Sequence, residues 1–81
     1  MLTSHGLLLK YRHDARFSFG DIGVWYVDRG APGDRSHVSG GGIHSLDAHY
    51  FEIESVTGMK KCIPYHRIRR ITYAGETVWE R

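Results

Sequence analysis

Two short segments of this 81-residue chain place cations beside backbone that has to bend. Arg29 to Arg35 reads RGAPGDR, and Ile63 to Arg70 reads IPYHRIRR. Glycine and proline turn the chain, a turn frees backbone N–H groups, and such groups next to a guanidinium can hold an oxyanion. The candidates are Arg29, Gly30 and Asp34 in the first segment and Tyr65, His66, Arg67 and Arg70 in the second. His66 could donate to a phosphate oxygen, and Tyr65 offers a ring on which a nucleobase could stack. A purely structural reading uses the same residues differently. Arg29 would pair with Asp34 across its own turn, Tyr65 would pack in the core, and His66 would cap a strand end. Residue chemistry leaves both readings open.

Other chemistries find less support. The chain has 6 histidines, but His37, His44 and His49 are spaced seven and five apart, which places no pair on one helical face or in one tight knuckle. No metal site and no cofactor is expected. Cys62 is the lone cysteine, so no intrachain disulfide can form, and its neighbour Ile63 suggests a small buried hydrophobe. His37-Val38-Ser39 has the His-x-Ser form of two-histidine phosphoesterases, yet no other histidine is followed two positions later by Ser or Thr. Gly30 to Gly33, GAPG, follows a strand rather than joining two helices, unlike the G-x-x-G loop of a KH domain. Walker and dinucleotide glycine patterns are absent. No catalytic residue is assigned.

The elements that must position these segments are short. Thr3 or Ser4 can cap a helix that carries Leu7, Leu8 and Tyr11 on one side. DIGVWYV, Asp21 to Val27, reads as a strand with apolar residues on both faces and hence burial on both. A short strand around His37 and Val38 runs into Gly40 to Gly42, whose conformational freedom suits a turn or bulge. His49 to Ser55 alternates, with Phe51 and Ile53 inward and Glu52 and Glu54 outward. Lys61 to Ile63, Arg69 to Tyr73 and Thr77 to Glu80 complete the strands, the last two joined by a turn at Ala74-Gly75-Glu76. Ile68 and Ile71 are three apart, which breaks period two, so Tyr65 to Ile68 reads as a helical turn or bulge after Pro64. The expected architecture is α+β: one N-terminal helix packed on a curled, largely antiparallel, barrel-like sheet of about five short strands, forming a single domain over residues 1–81.

Charge sharpens the picture. The formal net charge is only +2, but Lys60, Lys61, Arg67, Arg69, Arg70 and Arg81 face just Glu76 and Glu80 in the last quarter of the chain. A positive field there could draw in a phosphate-bearing partner, although solvent-facing charges on strands also serve solubility. The three leucines Leu7 to Leu9 are too few for a signal peptide or a membrane span, so a soluble, cytoplasmic protein with no membrane partner is expected.

The order VWYVDRGAPGD, then IPYHRI, then a terminal GETVWER resembles a family of small, mostly archaeal uncharacterised proteins. The module also occurs beside RNA-repair components and has been proposed to recognise RNA ends carrying a 2′,3′-cyclic phosphate. The resemblance covers nearly the whole chain from the helix onward. The family's Arg-Gly-Ala-Pro-x-Asp element falls on Arg29 to Asp34, and its Pro-Tyr-His-Arg-Ile element on Pro64 to Ile68. Members often carry histidine before the Arg-Gly pair where this chain has Asp28, whose charge would repel a phosphate. The helix also ends in RHDARF rather than the family's Trp-Asp-Pro.

The resemblance implies a non-catalytic RNA-binding module for a phosphorylated or cyclic-phosphate 3′ end, with RNA-repair or RNA-processing proteins as partners. Arg29 and Arg67 would contact phosphate, His66 would donate to it, Tyr65 would stack on or flank the terminal base, and Asp34 would orient Arg29. Arg69 and Arg70 would attract the backbone diffusely. Two alternatives come from other classes: a phosphoesterase using His66, and a protein-interaction adaptor pairing through exposed strand edges.

Overall fold

A computed structural model describes residues 3–54 and 58–81. The helix α1 spans Ser4–His13, and the Thr3 hydroxyl caps it by accepting the Gly6 N–H at 3.0 Å. Lys10, Arg12 and His13 lie in the last turn, where the helix dipole favours basic side chains. Leu7, Leu8 and Tyr11 are buried against the sheets, which supplies the tertiary support that a ten-residue helix needs.

Seven strands follow among the described residues: β1 Ile22–Val27, β2 Arg35–Ser39, β3 Ile43–Leu46, β4 Tyr50–Glu54, β5 Lys60–Pro64, β6 Ile68–Tyr73 and β7 Glu76–Glu80. They form two antiparallel sheets, of order β2-β1-β6-β7 and β3-β4-β5. The α+β class expected from sequence is therefore present, but the strands number seven rather than about five. No ladder joins the two sheets into a closed barrel among the described residues. The strand for which the sequence names no segment is β3, whose Ile43 reaches the core while the preceding glycines disguise it as loop. Ser55, expected to end the β4 strand, lies outside the described residues.

The core lies between α1 and the inner faces of the two sheets. Leu8, Val24, Phe51, Ile68 and Ile71 are wholly buried, and each contributes about 1.5–3 kcal/mol relative to exposure. Two expectations are corrected by how strands alternate, and a third by a close backbone approach. β1 buries only one face fully: Val24 and Tyr26 point inward, while Trp25 and Val27 are half-buried on the outer face. Cys62 is exposed, because Ile63 takes the inward position on β5 and its neighbour must point out.

The third correction concerns glycine. Gly40 does not adopt a positive φ; it is needed because a Cβ there would fall on the carbonyl oxygen of Phe19. Close backbone approach, and not conformational freedom, fixes its identity.

Candidate functional site

β1 runs out at Val27 where β6 begins at Ile68, and Tyr26 is paired with Ile68. The loop that leaves β1 and the turn that enters β6 therefore lie side by side at one end of the four-stranded sheet. Asp28, the first residue beyond β1, accepts the Ser36 hydroxyl at 2.6 Å and the Lys61 ammonium at 3.1 Å. The Ser36 bond first, then Lys61, and more weakly the nearby Arg67, hold the Asp28 carboxyl below the usual carboxylate range. One acidic side chain thus ties the start of the first loop to β2 and to β5 of the other sheet.

The first loop is closed by its own backbone. Asp28 N–H donates to the Asp34 carbonyl at 2.8 Å, Asp34 N–H to the Ala31 carbonyl at 2.8 Å, and Ala31 N–H to the Asp28 carbonyl at 3.1 Å. Gly30 at φ 96° and Gly33 at φ 68° supply left-handed conformations, and Asp34 itself sits at φ 54°. The Gly30 N–H is taken by the Asp34 carboxylate at 3.2 Å. Gly30 and Asp34 therefore build the loop, and among the described residues no ion pair joins Asp34 to Arg29. The N–H groups expected to be free for an anion are largely used within the loop. Anion contacts at this bend fall to side chains, namely the exposed Arg29 and Arg35.

The second bend is a single turn of 3-10 helix, Tyr65–Arg67, in the place the sequence suggests. His66 and Arg67 are exposed on it. The His66 carbonyl accepts from the Arg69 guanidinium at 3.2 Å and the Arg81 guanidinium at 3.3 Å, which pins the turn to β6 and the chain end. Tyr65 does not present a ring for stacking. It is only 9% exposed, and its hydroxyl donates to the Asp47 carbonyl at 2.6 Å. One side of the ring is covered by His5, whose imidazole stacks at 4.3 Å and 17°. Burial, with Asp47 nearby, pushes the Tyr65 phenol up to about 12. The apolar Tyr65 ring was worth more to the core than to the surface, so its part is to hold the turn.

The arginines at this end are aimed by a β-bulge. Trp25 pairs with Arg70 but Tyr26 with Ile68, so Arg69 is the extra residue on β6. The bulge explains the odd spacing of Ile68 and Ile71, which both reach the core with no exposure. It also turns Arg69 and Arg70 together into a cleft of about 640 Å³, which Trp25, Arg35, Asp34 and Arg81 help to line. A second cleft of about 460 Å³ lies alongside, lined by Ser4, His5, Tyr65, His66 and Trp79, and it shares Glu80 and Arg81 with the first.

The sequence places Arg29, Gly30, Asp34, Tyr65, His66, Arg67 and Arg70 in one site. The fold brings both segments to one end of the sheet, with Arg70 and Asp34 in the same cleft. It withdraws Tyr65 into the core. Arg35, Arg81 and Trp25 are additions; the signal for Trp25 was available, since Val24 and Tyr26 flank it and only one side of a strand can face a single core. Among the described residues, no three of His, Cys, Asp and Glu converge as a metal cage. No described helix is long and apolar enough to cross a membrane.

Comparison with known proteins identifies relatives of this chain. The family model described as MJ1316 RNA cyclic group end recognition domain matches residues 1–81. A UPF0248 protein of Archaeoglobus fulgidus is 35% identical over 72 residues, covering 89% of this chain and 96% of that protein. No solved structure matches.

Proposed function

The chain belongs to the MJ1316 RNA cyclic group end recognition domain family, and from that premise we propose that it binds RNA 3′ ends carrying a phosphate or 2′,3′-cyclic phosphate, without turning them over, in RNA repair or processing. The observation that carries the reading is the Tyr26–Ile68 pairing, which makes neighbours of two arginine-bearing bends that are distant in sequence. Arg29 and Arg67 supply guanidinium contacts to the terminal phosphate, and His66 donates a hydrogen bond to it. Arg35, Arg69, Arg70 and Arg81 extend the positive field toward the preceding phosphates. Asp28 does not oppose the anion as strongly as its charge suggests, because Lys61 and Ser36 already engage both its oxygens.

Matched short RNAs ending in cyclic phosphate, linear phosphate or hydroxyl, titrated at two salt concentrations, test this. Tighter binding of the phosphate-bearing ends is the expected result; equal affinity for all three would overturn it.

One observation favours a second reading, a phosphoesterase. His5 and His66 line the same cleft with Glu80 and Arg81, so a general acid and a general base could share a substrate there. Incubation with a cyclic-phosphate oligonucleotide separates the two: ring opening supports the enzyme, whereas saturable binding without product supports the module.

A further inference from the structure

We propose that Trp25, paired with Arg70, is the seat of the terminal nucleobase: an unpaired base stacks in the cleft on the outer face of the four-stranded sheet. The proposal rests on the RNA-end reading and names the subsite for the base beside the phosphate. Trp25 lies on the outer face because Val24 and Tyr26, 0% and 4% exposed, take the core side of β1. The half-buried indole there is covered in part by the Arg70 guanidinium over its ring and not by the core.

Its surroundings match a base. Along one cross-strand row run His37, Trp25, Arg70 and Glu80, set by the pairings of β2, β1, β6 and β7. The Arg70 guanidinium lies 5.4 Å from the indole centroid, and the His37 imidazole sits 4.6 Å away at 49°. His37 leans over Gly23, where a Cβ would come within 2.7 Å of its Nε2 and 2.6 Å of the Thr72 hydroxyl. The absent side chain at Gly23 gives the imidazole a place to rest to one side of the indole. An indole and a guanidinium plane are both surfaces on which bases stack. The cleft of about 640 Å³ falls in the size range of small-ligand sites. Charge decides the occupant: Arg35, Arg69, Arg70 and Arg81 outnumber Asp34 and Glu80 in the cleft, and this excess of positive charge suits the polyanionic backbone of single-stranded RNA, and not an apolar peptide. Continuity decides the position, since Asp34 and Arg35 of the first bend line the same cleft as Trp25.

A double-mutant cycle between protein and RNA tests the contact. The protein is wild type or Trp25→Leu; the RNA is a labelled hexamer ending in 2′,3′-cyclic phosphate, with or without the base on its last nucleotide. Anisotropy titrations should show that removing the base weakens wild-type binding by about 5- to 150-fold. Trp25→Leu should lose a similar factor and then no longer distinguish the two RNAs. Trp25→Phe, which keeps a ring and preserves the strand, should retain most of the affinity and most of the discrimination. If Trp25→Leu still discriminates as the wild type does, the base lies elsewhere and the proposal fails while end recognition stands. If a hydroxyl-ended hexamer binds as tightly as the cyclic-phosphate one but base removal still costs affinity through Trp25, the stacking site stands and end recognition fails. If no hexamer binds the wild type, both are overturned.

Discussion

Replacing Asp28 by asparagine should weaken the fold slightly and strengthen RNA binding. The Asp28 carboxylate accepts from Ser36 at 2.6 Å and Lys61 at 3.1 Å and lies near Arg67. Asparagine keeps the shape and one acceptor oxygen but removes the charge. The Asp28 and Lys61 side chains are 21% and 45% exposed, so solvent screens their attraction, and the loss should be about 0.5–1 kcal/mol in urea unfolding. The same change releases Lys61 and removes a repulsive charge from the phosphate site. One added phosphate contact on a single strand steepens the slope of log K against log salt by about 0.7. The carboxyl is held below its usual range in the folded state. Its stabilisation is therefore fully present above the unfolded pKa of about 3.9 and is lost as pH falls through the lower folded value. That acid-side loss should be smaller in the variant. Weaker RNA binding by a folded Asp28→Asn protein would refute the reasoning, because it would make the carboxylate an RNA contact.

Three further outcomes are expected. Arg67→Ala should weaken RNA binding and flatten the salt slope by about 0.7, one phosphate's worth; an unchanged slope removes Arg67 from the site. Tyr65→Phe should cost about 0.5–1.5 kcal/mol through the lost bond to the Asp47 carbonyl, with RNA affinity unchanged. The Tyr65 phenol titrates near 12 when folded and near 10 when unfolded, so its share of stability is lost as pH rises through that window, and the variant should show a shallower alkaline loss. Gly40→Ala should destabilise by about 1–3 kcal/mol or more in denaturant unfolding, because its Cβ would meet the rigid carbonyl of Phe19; a change within 0.5 kcal/mol, as for an ordinary surface position, would mean the backbone there yields easily.

Local chemistry was the legible part of the sequence. The Thr3 cap, the apolar side of α1, the alternation of Phe51 and Ile53 and the turn at Tyr65–Arg67 all depend on neighbours a few residues away, and each is where the sequence places it. The two bends were legible too, since glycine and proline declare a turn. What the sequence hid depends on partners distant along the chain. β3 is a strand because β4 pairs with it, despite the glycines that precede it. The Ile68–Ile71 spacing signals an irregularity, but only the pairing with β1 identifies it as a bulge at Arg69. Tyr65 and Trp25 exchange the roles that residue type suggested: the tyrosine in the arginine-rich motif is buried, and the tryptophan in the apolar strand faces the cleft. Ring identity says that an aromatic will pack or stack, and sheet side decides which.

Arginine side-chain NMR during titration with a cyclic-phosphate RNA hexamer addresses the convergence of the two bends most directly. The Nε–H signals of Arg29 and Arg35 from the first bend should shift together, at one common dissociation constant, with those of Arg67, Arg69 and Arg70 from the second. Shifts limited to one bend, or arising instead at Arg12 and Arg16 around the end of α1, would contradict a shared phosphate site.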